Sequence, residues 1–143
     1  MKIKPDTLPD KPSDLLELAL YDLAKVERSR KYEVAMSGWH NLDQQRDVCQ
    51  VCLAGAVMAK SLHFKRTQTS WENLSGTTVK KFFTLDMLRT GKVANAIREM
   101  NLSPADWGRE FSHYRLIPSY DSDPAGFREA LDKLVLDLRE KGY

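Results

Sequence analysis

The chain has 143 residues, a net charge of +2 and two cysteines. This length suits one domain, which can bury enough surface to fold without a disulfide or a metal. Two cysteines cannot build a disulfide framework. The longest apolar run, residues 51–59, is far shorter than the roughly 20 residues that a membrane-spanning helix needs. The N-terminal stretch also lacks the apolar core of a signal peptide. We therefore expect a globular protein of a reducing cytoplasm, with no cofactor and no membrane partner.

The N-terminal third of the chain predicts an arm, a helix and a short extended segment. Residues 1–12 contain three prolines and predict an extended or disordered arm, which leaves residues 13–143 as a single helical domain. Apolar side chains at helical spacing predict a first helix, with Ser13 as its N-cap. Residues 32–39 suggest a short strand, which would pair with residues 114–118. Residues 41–47 are polar and predict a loop.

Residues 48–62 are the most apolar segment of the chain. Leu53 and the small residues that follow it leave almost no polar side, and a helix that is apolar nearly all round is buried. We therefore expect residues 48–62 to form the central helix of the fold. This helix would carry both Cys49 and Cys52.

The remaining segments also favour helices. Thr77 or Thr78 would cap a helix that stops before Gly91, and a short helix would end at Asn101. A further helix of about ten residues would follow Pro104, and Asp123-Pro124 would start the last one. The predicted fold is mainly α, an irregular bundle of five or six helices around a buried central helix, with room for a small strand pair.

Two cysteines and two histidines are the strongest chemical candidates. His40, Cys49, Cys52 and His63 form a valid tetrahedral zinc set. One of the cysteines could instead act as a nucleophile with a histidine as its base. Against both hypotheses, cysteines three residues apart on an apolar helix share one face and pack as small hydrophobic residues. We therefore expect two buried free thiols, and leave the zinc-binding or cysteine-dependent enzyme as the alternative.

The middle of the chain is basic. Residues 60–98 hold eight lysines and arginines against two carboxylates, a net of +6, so the flanking segments sum to −4. Such a segment could bind nucleic acid if its charges formed one face. Within it, Lys65, Arg66 and Trp71 lie in a predicted loop. Exposed arginine and tryptophan are common anchors of protein interfaces.

Two stretches of sequence carry a resemblance to a known group of proteins. The first is Trp39-His40 together with the run Cys49-Gln50-Val51-Cys52-Leu53-Ala54-Gly55-Ala56-Val57-Met58-Ala59, and the second is Leu85-Asp86-x-Leu88-Arg89-x-Gly91. Both resemble elements of small uncharacterised proteins from tailed phages and prophages. The resemblance covers about residues 13–98. It implies a phage-encoded protein that acts in the cytoplasm of the bacterial host, and it assigns no activity to any residue.

The functional hypothesis that follows is a non-enzymatic phage accessory protein that binds a host or defence macromolecule. The partner would be a protein, and Lys65, Arg66 and Trp71 would contact it. The rivals are the zinc or cysteine enzyme and a nucleic-acid-binding protein that uses residues 60–98. An apolar face left open on the first or last helix would equally serve as the interface of a homo-oligomer.

Overall fold

The computed structural model describes residues 8–68, 74–88 and 117–143. Within these ranges the chain forms four helices and a three-stranded mixed sheet. In chain order the elements are α1 (Pro12–Glu27), β1 (Tyr32–Val34), β2 (His40–Asp43), β3 (Val48–Val51), α2 (Leu53–Lys60), α3 (Gly76–Leu88) and α4 (Pro124–Glu140). The predicted bundle of five or six helices with room for a strand pair is therefore wrong, because the described residues form four helices and a three-stranded mixed sheet. The helices predicted to end at Asn101 and to follow Pro104 lie outside the described residues.

The sheet has β3 at its centre, in the order β1-β3-β2. β3 runs parallel to β1, with Cys49 opposite Tyr32, and antiparallel to β2, with Val51 opposite His40. The strand predicted within residues 32–39 exists as β1, but it pairs with β3 and not with residues 117 and 118, which are coil. Residues 114–116 of the predicted pairing lie outside the described residues.

The predicted central helix over residues 48–62 divides into a strand and a shorter helix. Along β3 the burial alternates, and Cys49 and Val51 are the buried residues. Alternation with period two is the pattern of a strand. α2 begins only at Leu53, after Cys52 as its N-cap, and every residue from Leu53 to Ala59 is buried. The central helix therefore carries neither cysteine within its helical turns.

The helices α1 and α4 complete the core. α1 packs against both α2 and α4. The predicted start of the last helix is confirmed, since the Asp123 side chain accepts a 3.0 Å hydrogen bond from the Gly126 amide and Pro124 is the first helical residue. The Ser13 hydroxyl donates to the carbonyl oxygen of Tyr143 at 2.6 Å, so the start of α1 is joined to the C-terminal residue. None of the four described helices has the length and apolar character needed to cross a membrane.

Candidate functional site

The residues of the Trp-His and Cys-x-x-Cys motifs meet where the sheet passes into α2. His40 lies on β2, Cys49 on β3 and Cys52 at the N-cap of α2. The Trp39 carbonyl oxygen accepts a 3.0 Å hydrogen bond from the Cys52 amide. A Cβ atom on Gly55 would lie 1.6 Å from that same oxygen. Glycine is therefore required for the first turn of α2 to approach the backbone of Trp39 this closely.

Both thiols are buried and have structural surroundings. Cys49 is 0% and Cys52 1% exposed. The Cys52 sulfur accepts a hydrogen bond from the Gly55 amide at 3.3 Å, so this side chain caps α2. Burial raises the pKa of the Cys52 thiol to about 11, and burial also raises the pKa of Cys49. Because the thiolate is the nucleophile and the metal ligand, raised pKa values and burial make both cysteines poor candidates for chemistry.

His40 is held as a neutral core residue. It is 4% exposed, and its Nδ1 lies 2.7 Å from the carbonyl oxygen of Gln68, so Nδ1 carries the proton and donates. The Phe64 ring packs against the imidazole edge to face at 5.4 Å. Nε2 is buried without a hydrogen-bond partner among the residues described. Burial lowers the pKa of the imidazole, and the hydrogen bond to Gln68 only partly opposes this effect.

His63, the fourth residue of the predicted zinc set, does not share the burial of the other three. His63 is exposed, in the loop after α2, with a φ of 56°. Across residues 8–68, 74–88 and 117–143, no three His, Cys, Asp or Glu side chains are grouped so that they could hold a metal ion. The described arrangement therefore lends no support to a zinc site on His40, Cys49, Cys52 and His63.

Three cations lie at the end of α2 and in the loop that follows it. Lys65 is exposed, and the Arg66 guanidinium donates to the Asp47 carboxylate at 2.9 Å and to its carbonyl oxygen at 3.0 Å. The Lys60 ammonium lies 4.8 Å from the centre of the Tyr32 ring. Burial raises the pKa of Tyr32, and the charge of Arg66 opposes that shift. We call Lys60, Lys65 and Arg66 the basic surface.

Lys81, further along the basic segment, does not extend this surface. Lys81 on α3 binds Asp10 at 2.9 Å, just before the start of α1. The Lys60 charge acts instead on Asp22, in the C-terminal half of α1. Asp10 lies before α1, and the ten residues from Pro12 to Asp22 span on the order of 15 Å along the helix axis. Lys60 and Lys81 therefore lie at different places along α1. Trp71 lies outside the described residues.

Sequence reasoning missed a buried acid on α1. Asp22 is 1% exposed and accepts a 2.5 Å hydrogen bond from the Ser61 hydroxyl, at the C-cap of α2. Burial raises the pKa of this carboxyl, against the effects of Ser61 and of nearby positive charge. A signal was present, because position 22 follows Ala19 by three residues and precedes Val26 by four, on the buried face of the helix.

A second missed group lies between α1 and α4. Glu27, at the end of α1, accepts hydrogen bonds from the Tyr120 hydroxyl and from the Arg128 guanidinium. Tyr120 and Arg128 lie 93 and 101 residues after Glu27 in the chain, so no local pattern could have predicted these contacts. The group borders an open cleft beside β1.

In comparisons with known proteins, no family model matches the chain, and neither a curated protein nor a solved structure gives a significant match.

Proposed function

We propose that the protein is a non-enzymatic binding protein whose basic surface contacts an acidic patch on another protein. One contrast carries the proposal. The side chains best suited to catalysis or metal binding are at most 4% exposed; they are Cys49, Cys52 and His40. Lys65, in contrast, is exposed, and Arg66 is partly exposed. A surface that offers charge without an accessible nucleophile supports recognition rather than catalysis.

The arrangement of the basic surface favours a protein partner. Arg66 is fixed by two hydrogen bonds to Asp47, so its guanidinium loses little conformational freedom when a partner binds. Arginine and tyrosine are enriched in protein interfaces, and Tyr32 lies beneath Lys60. The resemblance to phage proteins adds that the partner belongs to the cytoplasm of a bacterial host.

The division of the basic segment weakens the nucleic-acid alternative. A groove that tracks a phosphate backbone needs cations in a continuous row. Two cations of the segment lie apart instead, Lys60 over the Tyr32 ring and Lys81 against Asp10. An acidic patch on a folded protein needs only one of these groups.

A charge reversal tests the proposal. In Lys65→Glu/Arg66→Glu the basic surface loses its two loop cations, and in the control Lys133→Glu/Lys141→Glu the same change is made at the exposed face and end of α4. Tagged wild-type and variant proteins are used to capture partners from nuclease-treated host lysate. We expect a protein that the wild type and the control retain and the loop variant loses, with capture that weakens as salt rises.

Two results would contradict the proposal. Either no partner is enriched above the background of the tag, or the loop variant captures the same partner as the wild type. A third result would replace the protein partner by nucleic acid: saturable binding of DNA or RNA oligonucleotides at low salt that falls steeply with salt and disappears in Lys65→Glu/Arg66→Glu.

A further inference from the structure

One edge of the sheet carries backbone groups without partners. The Lys31 carbonyl oxygen accepts a 2.9 Å hydrogen bond from the Cys49 amide of β3, and the Ala35 amide donates a 2.8 Å hydrogen bond to the Val51 carbonyl oxygen of β3. Backbone groups alternate in direction along a strand, so Tyr32 and Val34 direct theirs away from β3. The Tyr32 amide donates to Ser29. The Tyr32 carbonyl and both backbone groups of Val34 have no partner within the described residues.

A cleft of about 520 Å³ lies beside these groups. Its lining includes all three residues of β1 and Val48 of β3, together with Glu27, Arg30 and Tyr120. This volume falls within the range of ligand sites in proteins. A cleft along a free strand edge offers both the hydrogen bonds and the space that an added strand requires.

One cation of the cleft is open to an acidic occupant. Glu27 is paired with Arg128, and Glu33 is paired at 2.7 Å with Arg46, which also binds Asp43 at 2.7 Å. Arg30 also lines the cleft, and no ion pair joins it to a carboxylate of the described residues. Arg30 is therefore the cation of the lining that an acidic side chain of an occupant could contact.

We infer that the cleft binds an extended segment of a partner protein, which adds to β1 as a fourth strand and places an acidic side chain against Arg30. The three free backbone groups of Tyr32 and Val34 set its length at about three to four residues. This inference goes beyond the proposed function, because the site uses the edge of the sheet rather than the basic surface, and each can fail without the other.

The test uses two acetylated and amidated heptapeptides of alternating threonine and valine, one with aspartate and one with lysine at its centre. Binding to the ¹⁵N-labelled full chain is followed by NMR. We expect saturable shifts that are largest at the Val34 amide, with the aspartate peptide bound about fivefold more tightly, as one exposed charge pair would give.

Variants locate the site. Val34→Pro removes the outward N–H and leaves the bonds of Glu33 and Ala35 to β3, a change that an edge strand tolerates. It should weaken the aspartate peptide about tenfold or more, whereas Val34→Thr keeps the N–H and should bind normally. Lys65→Glu/Arg66→Glu should also bind the peptide normally, which separates this site from the basic surface.

The peptide provides a control that does not depend on folding of the variant. N-methylation at alternate positions blocks the N–H groups on one side of the added strand, so one of the two methylated peptides should lose binding to the wild-type chain and the other should keep it. The inference is overturned if neither heptapeptide gives saturable shifts up to about 1 mM, if both methylated peptides bind equally, or if folded Val34→Pro binds like the wild type. It is also overturned if the free edge binds a second copy of the chain, seen as self-association that Val34→Pro abolishes.

Discussion

Gly55→Ala perturbs the junction between the sheet and α2 at its closest point. The added Cβ would lie 1.6 Å from the carbonyl oxygen of Trp39, 2.7 Å from its carbonyl carbon and 3.0 Å from the Val51 Cβ. Two of these three atoms belong to the backbone, so no rotamer change can relieve the contact. The first turn of α2 and the residue before β2 would have to move apart.

The expected loss in the free energy of unfolding is about 3 kcal/mol. Overpacking in a close-packed core costs about 1–3 kcal/mol, and movement of the Trp39 carbonyl also breaks its hydrogen bond from the Cys52 amide, which contributes about 1 kcal/mol. The greater helix propensity of alanine returns about 1 kcal/mol. Because the clash involves backbone, we take the upper part of the overpacking range.

Urea denaturation followed by tryptophan fluorescence measures this loss. Gly76→Ala is the matched control, since it makes the same substitution in the first turn of α3 and its Cβ would meet no atom within 4 Å. The control should lie between no change and a gain of about 1 kcal/mol. The reasoning is refuted if Gly55→Ala unfolds at the same urea concentration as the wild type, or at a higher one.

Two further predictions concern pH. Burial lowers the pKa of His40, so the unfolded chain binds this proton more tightly, and the free energy of unfolding should fall as the pH drops below the ordinary histidine value of about 6.5. His40→Asn keeps a donor for Gln68 and should reduce this dependence on pH in urea titrations between pH 7 and 5. An unchanged dependence would count against the prediction. Burial raises the pKa of Asp22, so the contribution of this carboxyl to the free energy of unfolding is greatest at low pH and is lost as the pH rises through its pKa in the folded protein. Asp22→Asn keeps an acceptor for Ser61, should remove this loss and should be at least as stable as the wild type at pH 7. A less stable variant would show that the folded protein favours the charged form.

The first and last helices could be predicted because their signals are local. Asp123 caps α4 by accepting from the amide three residues later, and Pro124 follows it. In α1 only the periodicity was informative, because the helix starts at Pro12 and Ser13 does not cap it. Apolar residues then recur at helical spacing along one face. Capping and periodicity both act within a few residues, so they can be read directly from the sequence.

The error over residues 48–62 has a physical reason. A buried strand and a buried helix are both apolar, and over four residues periodicity cannot separate them. The boundary is also marked by an unusual residue, because Cys52 caps α2 with its sulfur, whereas serine, threonine, aspartate and asparagine are the usual caps. The pairing of β3 with β1 and β2, which decides the matter, depends on residues distant in the chain.

The candidate sites also differ in how far they could be predicted from the sequence. The expectation of buried cysteines is confirmed, with exposures of 0% for Cys49 and 1% for Cys52, although the helical face on which it depended does not exist. Cys49 lies on β3 and Cys52 caps α2, and the apolar character of the segment buries both. The cleft beside β1 could not be predicted, because it depends on strand order and on the approach of Tyr120 to the end of α1.

The central claim is that Cys49 and Cys52 are core residues and neither nucleophiles nor metal ligands. The reactivity of the two thiols in the native protein tests this claim most directly. The measurement is the rate of reaction with a disulfide reagent near neutral pH, in buffer and in urea. The account predicts that both thiols react at least about a thousandfold more slowly in buffer than in the unfolded chain, as expected when reaction needs global opening. Rapid reaction of either cysteine in the folded protein would contradict it.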